Sequence, residues 1–381
     1  MKPWKLNDSN FNFLDRLKIC SFFLKKKNFW TMSANTQLFE KKMAEFIGSK
    51  YSVFVSSGST ANTVLAMYLK DKSCENKKQI IFPSTTWTTS VSPFIREGFD
   101  PVFLDISLSD FSLDLNALET YLSANSQNVA CVFITSLIGF VPDIKRLKEI
   151  EQKYQVTIMM DNCENTFGSF ENQNISSFFT STTSTYFGHQ IQSVEGGFIF
   201  TNSKEEYEYF LMLRNHGMTR SLSEPQKYNN PDVDSRFDFY CLGNNFRNSD
   251  IHAFIGLLDL KRIHKLKKKR ENLFKLFAQE LLNFDYSIDS IKQHSPFCLP
   301  IICRDEKEKK QIYEFCERNQ IETRPIISGN LLRQTCYNKY ANPENFPNSD
   351  FLHKNCFYVG LHYNVTENQI LKLVKFINSI Q

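Results

Sequence analysis

No stretch of this chain is apolar for long enough to cross a membrane. The best run, Val129 to Ile138, interrupts itself with Thr135 and Ser136 and reaches about half of the roughly 20 residues a spanning helix needs. No secretory leader is expected either. The apolar stretch near the start, Ile19 to Leu24, is short and runs into Lys25-Lys26-Lys27 with no small-residue cleavage site. Ten cysteines occur, yet no Cys-x-x-Cys pair, so they read as reduced, mostly buried thiols of a cytoplasmic protein. An excess of one charge is also missing. Lys and Arg number 45 against 41 Asp and Glu, a net charge of +4 that gives no general case for a nucleic-acid binder. Internal repeats and low-complexity tracts are absent, as are a Walker loop and a Gly-x-Gly-x-x-Gly turn, so neither a P-loop nor a nicotinamide reader is supported.

What is present describes a folded chain: 41% hydrophobic and 23% charged residues, with 36 Phe to fill a core. The length of 381 residues suggests two or three domains. Short apolar runs at Tyr51–Val55, Gln79–Phe82, Val102–Asp105, Val129–Thr135 and Thr157–Met160 predict strands. Helical patterns separate them: Gln37–Ile47 capped by Gly48, Ala61–Leu69, and a helix opening at Pro142-Asp143 with Ile144, Leu147, Ile150 and Tyr154 on one face. Strands apolar on both faces and alternating with helices imply an α/β fold with a mostly parallel sheet. A long helical pattern starts at Ile251 and continues to Phe277. Its seven Lys or Arg within Lys261–Arg270 read as a solvated face. A smaller α+β region follows and ends in a helix opened by the capping box Thr366-Glu367-Asn368-Gln369. The expected organisation is an N-terminal segment packing on the core (1–36), a large α/β domain (37–250) and a smaller C-terminal α+β domain (251–381).

In such sheets ligands sit at the carboxyl ends of the strands, where three polar clusters fall: Ser56–Thr60, Thr85–Thr89 and Asp161–Glu164. Ser57-Gly58-Ser59-Thr60 joins a strand to a helix start, which makes an anion site or, just as simply, an N-cap. Asp161 could hold a protonated ring nitrogen, or cap a turn. Trp87 could stack on a flat ring, or pack in the core. Their order along the chain is the information.

That order continues with Ser184-Thr185-Tyr186-Phe187-Gly188-His189, Glu195-Gly196-Gly197, Arg214-Asn215-His216-Gly217, Gly243-Asn244-Asn245-Phe246-Arg247 and Thr323-Arg324-Pro325 through Gly329-Asn330. From about Asp15 to the C-terminus the chain resembles the sugar-nucleotide aminotransferase/dehydratase family of fold-type I pyridoxal 5'-phosphate (PLP) enzymes. The resemblance implies that Gly58, Ser59 and Ser184 hold the cofactor phosphate, Trp87 stacks on the ring and Asp161 pairs with its nitrogen. Glu164 stands where many members carry Gln near the ring hydroxyl. Asn245 would reach the phosphate in the other subunit, which implies a homodimer with shared active sites. His216, Arg324 and Asn330 are the substrate-binding candidates. No metal, nucleic acid or membrane is implied as a partner.

The departure from the family pattern is at His189, six residues before the Glu of Glu195-Gly196-Gly197, where aminotransferases of the family carry Lys. Only a primary amine condenses with the PLP aldehyde, so an imidazole implies a cofactor held without a covalent bond. His189 would instead move protons, with an ordinary pKa of about 6.5. The exchange resembles the histidine-containing 3-dehydratase branch, of the GDP-4-keto-6-deoxymannose 3-dehydratase type. It implies C3 deoxygenation of a nucleotide-linked 4-keto-6-deoxysugar for dideoxysugar and cell-surface polysaccharide synthesis. Pyridoxamine 5'-phosphate (PMP) would be formed from PLP with glutamate as amino donor. Members of that branch often carry a second His where this chain has Gln190. The iron–sulfur dehydratase branch is not favoured, because Cys163, Cys241, Cys298 and Cys303 show no cluster spacing. An aminotransferase of the same family, and a catalytically silent sugar-nucleotide-binding regulator, remain the alternatives.

Overall fold

The computed structural model describes residues 3–25, 29–74, 76–228, 230–282 and 293–380, so Lys26 and Lys27 of the basic run lie outside the described residues. The chain opens with α1 (Phe13–Leu24) and α2 (Ala34–Ile47). It then alternates β1 (Tyr51–Val55), α3 (Gly58–Lys72), β2 (Gln79–Pro83), α4 (Ser92–Arg96), β3 (Asp100–Leu104), α5 (Leu115–Asn125), β4 (Val129–Thr135), α6 (Ile144–Tyr154) and β5 (Thr157–Asp161). The short hairpin β6 (Ser169–Phe170) and β7 (Gln173–Asn174) leads to β8 (Thr180–Ser184), β9 (Gly197–Thr201) and α7 (Lys204–Arg214). The rest comprises α8 (Asp250–Leu260), α9 (Ile263–Glu280), β10 (Cys298–Ile302), α10 (Glu306–Arg318), β11 (Thr323–Arg324), α11 (Pro347–Asn355), β12 (Cys356–Gly360) and α12 (Glu367–Ile380).

Side chains along β4 alternate between two faces and are buried on both. Cys131 and Phe133 join Val64 and Leu65 of α3 and Phe210 and Leu213 of α7. Val132 and Ile134 join Leu118 and Leu122 of α5 and Leu147 and Ile150 of α6. Each such side chain removed from water contributes about 1.5–3 kcal/mol, and a strand with no solvent face can sit only inside a two-sided sandwich of helices. The resulting sheet has the order β1-β9-β8-β5-β4-β2-β3. All of its strands point the same way except β9, which runs antiparallel to both β1 and β8. This is the architecture of the fold-type I enzymes that the resemblance implied. A second sheet, β10-β12-β11, is antiparallel and lies in the C-terminal part.

Two helix ends follow the sequence reading closely. Gly48 takes φ +81° as the left-handed cap of α2, a conformation that costs glycine little. The capping box of α12 forms through Gln369 N–H to Thr366 Oγ1 and Thr366 N–H to Gln369 Oε1. Two readings change. The pattern from Ile251 to Phe277 is two helices, because Arg262 leaves helical geometry (φ −112°, ψ 9°) while its guanidinium pairs with Asp15 and Asp259. The basic run after it is only partly a solvated face: Arg270 is buried and donates to the Phe297 carbonyl. β8 was not anticipated at all, since Thr-Ser-Thr-Thr-Ser has no apolar residue.

The start of the chain is tied to the second sheet. Trp4 is buried, its indole N–H donates to the Gly360 carbonyl at 2.9 Å, and its backbone pairs with Ile321. All ten cysteines are free thiols, five of them buried. No helix among the described residues is long and apolar enough to cross a membrane.

Candidate active site

The carboxyl ends of β4, β5 and β8 deliver Thr135, Asp161 and Ser184 to one edge of the large sheet, and β1 runs into the start of α3 there. The second sheet covers this edge with Arg324 of β11 and Tyr358 of β12. Between them lies a cavity of about 330 Å³. Eight of the residues singled out in the sequence line it: Gly58, Ser59, Trp87, Asp161, Glu164, Ser184, His189 and Arg324.

At the start of α3 the Ser57–Thr60 capping box occupies the N–H of Thr60, and Ala61 N–H goes to the Ser57 carbonyl. The N–H groups of Gly58 and Ser59 precede any intrahelical partner and stand at the positive end of the helix dipole, which suits an anion such as a phosphate. Gly58 is required by contact. A Cβ there would lie 2.7 Å from Cys163 Sγ and 3.0 Å from Ser184 Cβ. The Ser184 hydroxyl accepts from Tyr186 N–H at 3.2 Å on the same wall.

Asp161 is buried and accepts three hydrogen bonds. Asn62 Nδ2 (2.8 Å) and Ser90 Oγ (2.7 Å) donate to Oδ2, and Cys163 N–H (3.0 Å) donates to Oδ1. Such a fixed carboxylate at the cavity wall fits a protonated ring nitrogen. Trp87 borders the cavity, with the Arg324 guanidinium 5.8 Å from its ring centre.

His189 sits in the turn after β8, where its N–H bonds the Tyr186 carbonyl and its ring meets Tyr186 and Phe297 edge-on. Its Nδ1 is buried and has no hydrogen-bond partner among the described residues. Burial lowers its pKa to about 4, against the opposing attraction of Asp161, so the imidazole is neutral near pH 7. Gln190 points the other way: its amide oxygen accepts from Thr166 N–H and its Nε2 donates to Ser295. Glu164 also lines the cavity, and burial raises its carboxyl to about 7. Among the described residues no Lys lines the cavity.

Three expected residues lie elsewhere. Asn330 is fully buried outside the cavity. Its Nδ2 donates to the Pro343 carbonyl and to Asp350, and its Oδ1 accepts from Leu332 N–H. With its amide consumed, Asn330 shapes a turn, and its expected sugar contact is withdrawn. Asn245 is exposed, and its Oδ1 accepts from Arg247 Nε. His216 does not line its own chain's cavity. It adopts φ +62° and its N–H bonds the Asn244 carbonyl, beside Asn245.

Asn62, Ser90 and Tyr358 were not anticipated. A buried Asn four residues after Gly58, on the same face of the helix, was the available signal for Asn62. Tyr358 had none, because it reaches the site through pairing with Arg324 across β11 and β12.

The comparisons agree with this geometry. The chain is 28% identical over 358 residues to the GDP-4-keto-6-deoxy-D-mannose 3-dehydratase of Escherichia coli O55:H7, covering 87% of this chain and 89% of that protein. It is 29% identical to the enzyme of the same name from Yersinia pseudotuberculosis, covering 92% of each. A crystal structure of GDP-4-keto-6-deoxymannose-3-dehydratase with a trapped PLP-glutamate geminal diamine superposes with a TM-score of 0.87 at 26% identity, over 98% of this chain and 100% of that one. Residues 21–378 match the family model throughout, and the sheet order, the cavity and these likenesses have one explanation: the chain belongs to the DegT/DnrJ/EryC1/StrS aminotransferase family.

Proposed function

We propose that this protein is a PLP/PMP-dependent 3-dehydratase that removes the C3 hydroxyl of a nucleotide-linked 4-keto-6-deoxysugar, with GDP as the nucleotide carried by the similar enzymes. The observation that carries the reading is a neutral imidazole, His189, in the cavity wall where family aminotransferases hold a Lys. The donors suit the cofactor: free N–H groups at α3 for its phosphate, the Asp161 carboxylate for its ring nitrogen, Trp87 for its ring face, and a wall that a single Cβ at Gly58 would obstruct. When bound, PMP supplies an amine that condenses with the sugar ketone and a ring that stores an electron pair.

His189 then serves as the mobile proton carrier. Its low pKa leaves it free to accept a proton near neutrality, and the imidazolium so formed is a strong acid that can protonate the departing C3 hydroxyl. Asp161, fixed by Asn62, Ser90 and the Cys163 N–H, presents its carboxyl group to the ring nitrogen. Arg324 presents a guanidinium for sugar or diphosphate oxygens. Atoms balance when glutamate becomes 2-oxoglutarate and ammonia while the sugar loses one oxygen.

Asn245 and the neighbouring His216 complete the partner subunit's cavity in a cytoplasmic homodimer on this reading. The adjoining exposed apolar residues Phe237, Phe239, Tyr240 and Leu242 support it, since they need cover. Incubation with PLP, glutamate and a panel of 4-keto-6-deoxysugar nucleotides tests the proposal by mass spectrometry. Loss of one oxygen with release of ammonia is expected. A stable 4-amino sugar would assign transamination instead.

A further inference from the structure

We propose that Gln192 is a positioning residue for His189: its side-chain amide clamps the turn that carries the imidazole onto the N-terminal segment Trp4–Asn10. The inference rests on the dehydratase reading, in which His189 moves the proton.

The turn between β8 and β9 has only a few bonds of its own. His189 N–H reaches the Tyr186 carbonyl, Phe187 N–H the Val194 carbonyl at 3.0 Å, and Ser193 N–H the Thr185 carbonyl at 2.8 Å. Val194 adopts φ +74°, a conformation that a β-branched residue rarely takes, so contacts from outside the turn must hold it. The imidazole has no hydrogen-bond partner at Nδ1 among the described residues, and it follows the turn that carries it.

Gln192 supplies the outside contacts. It is buried and does not line the cavity. Its Nε2 donates to the Phe187 carbonyl at 2.7 Å and to the Asp8 carbonyl at 3.0 Å. Its Oε1 accepts from Asn10 N–H at 3.0 Å. Its backbone N–H donates to Asp259 Oδ2 at 2.9 Å, an oxygen that also accepts from Asn10 Nδ2. One side chain thus spends both amide hydrogens and its oxygen on joining the turn to the N-terminal segment, while its backbone adds α8. The same segment packs closely on the residue before His189, since a Cβ at Gly188 would lie 2.9 Å from the Asn7 amide.

The far end of the segment is fixed to the second sheet. Trp4 exchanges main-chain bonds with Gln320 and Glu322, and its indole holds the Gly360 carbonyl. Leu6 N–H donates to Glu322 Oε2 at 2.8 Å. Glu322 and Gly360 each lie two residues from a cavity residue, Arg324 and Tyr358 respectively. The segment therefore runs from one wall of the cavity to the other, and Gln192 is its grip on the His189 side. A reacting group displaced by about 1 Å can lose about a hundredfold in rate.

The test is Gln192→Met, which keeps the length of the side chain and removes its three bonds. Steady-state kinetics with the sugar nucleotide that the wild type deoxygenates is paired with PMP titration. The expected result is a kcat at least about tenfold lower, with KM and the PMP dissociation constant within about threefold of the wild type. In a His189→Asn background the same change should cost no further rate, because a positioning residue acts only through the group it places. Unchanged kcat, an equal loss in PMP affinity, or the same proportional loss without His189 each overturns the positioning. If Gln192→Met does not fold, Gln192→Asn decides: its amide is one methylene short of its partners, and a wild-type kcat overturns the proposal while an isolated loss of kcat upholds it. A wild type that turns over no sugar nucleotide overturns the dehydratase reading, and the positioning with it.

Discussion

Asn62 Nδ2 donates to Asp161 Oδ2 at 2.8 Å while its Oδ1 accepts from Thr182 Oγ1 at 2.7 Å, so one side chain of α3 locks the end of β5 to β8. Replacing Asn62 by Leu leaves two buried polar groups without this partner. The expected cost is about 1–3 kcal/mol for each group so abandoned. Urea unfolding should show that loss, and PMP titration should show a weaker site. Unchanged values for both would mean that Asp161 is positioned by Ser90 and the Cys163 N–H alone.

His189→Asn keeps the size of the side chain near that of the imidazole and removes proton transfer. Turnover should fall by about 10²–10⁴, the usual range for a lost general acid–base group. The PMP dissociation constant should stay within about threefold of the wild type. Steady-state kinetics beside equilibrium titration separates the two, and retained turnover would reject the assigned role.

The lowered pKa of His189 also links to stability. Its folded value of about 4 lies below the ordinary 6.5, so the unfolded chain takes up the proton first as pH falls. The stabilisation is full above pH 6.5 and is lost progressively as pH drops toward 4, by up to about 3 kcal/mol. Glu164 acts in the same window with the opposite sign. Its value of about 7 means that the folded state binds that proton more tightly, so stability gains as pH falls from 7 toward 4.5. Denaturant unfolding of the cofactor-free protein at several pH values should therefore show a steeper acid loss in Glu164→Gln than in the wild type. His189→Asn should flatten it.

Gly58→Ala places a methyl 2.7 Å from Cys163 Sγ, and one of the two must move. We expect PMP affinity to drop at least about tenfold, with helix α3 retained because alanine suits a helix. Adding Cys163→Ala removes the clashing sulfur and leaves the backbone N–H that bonds Asp161, so the double variant should recover most of the affinity. Equal binding by the single and double variants would remove the steric explanation.

Gln190→Ala strips the acceptor from the buried Thr166 N–H and the donor from Ser295. Stability should fall by about 1–3 kcal/mol with kcat little changed, because the side chain faces away from the cavity. Loss of kcat at full stability would instead give Gln190 a part in the chemistry.

How much of this was legible in the sequence depended on which side chains bear the load. Strands made of apolar residues, such as Tyr51–Val55 and Val129–Thr135, were read at their true bounds because burial on both faces leaves an uninterrupted hydrophobic run. Strand Thr180–Ser184 was invisible, since it has no apolar residue and is placed by contacts such as the hydrogen bond from Thr182 to Asn62, whose partner lies more than a hundred residues away. The site followed the same rule. Gly58, Asp161 and His189 lie at element ends where local order along the chain carries meaning. Asn330 misled because a motif position says nothing about where an amide's hydrogen bonds go. The bend at Arg262 was hidden because it depends on Asp15, at the far end of the chain.

The all-polar strand has a consequence for how the molecule is assembled. Thr180–Ser184 has no greasy side chain of its own, so its place in the sheet depends on β5 and β9, which pair with it on either side. The corner that carries His189 is thus held in register by main-chain ladders from two neighbours, and a change that disturbs either neighbour reaches the imidazole.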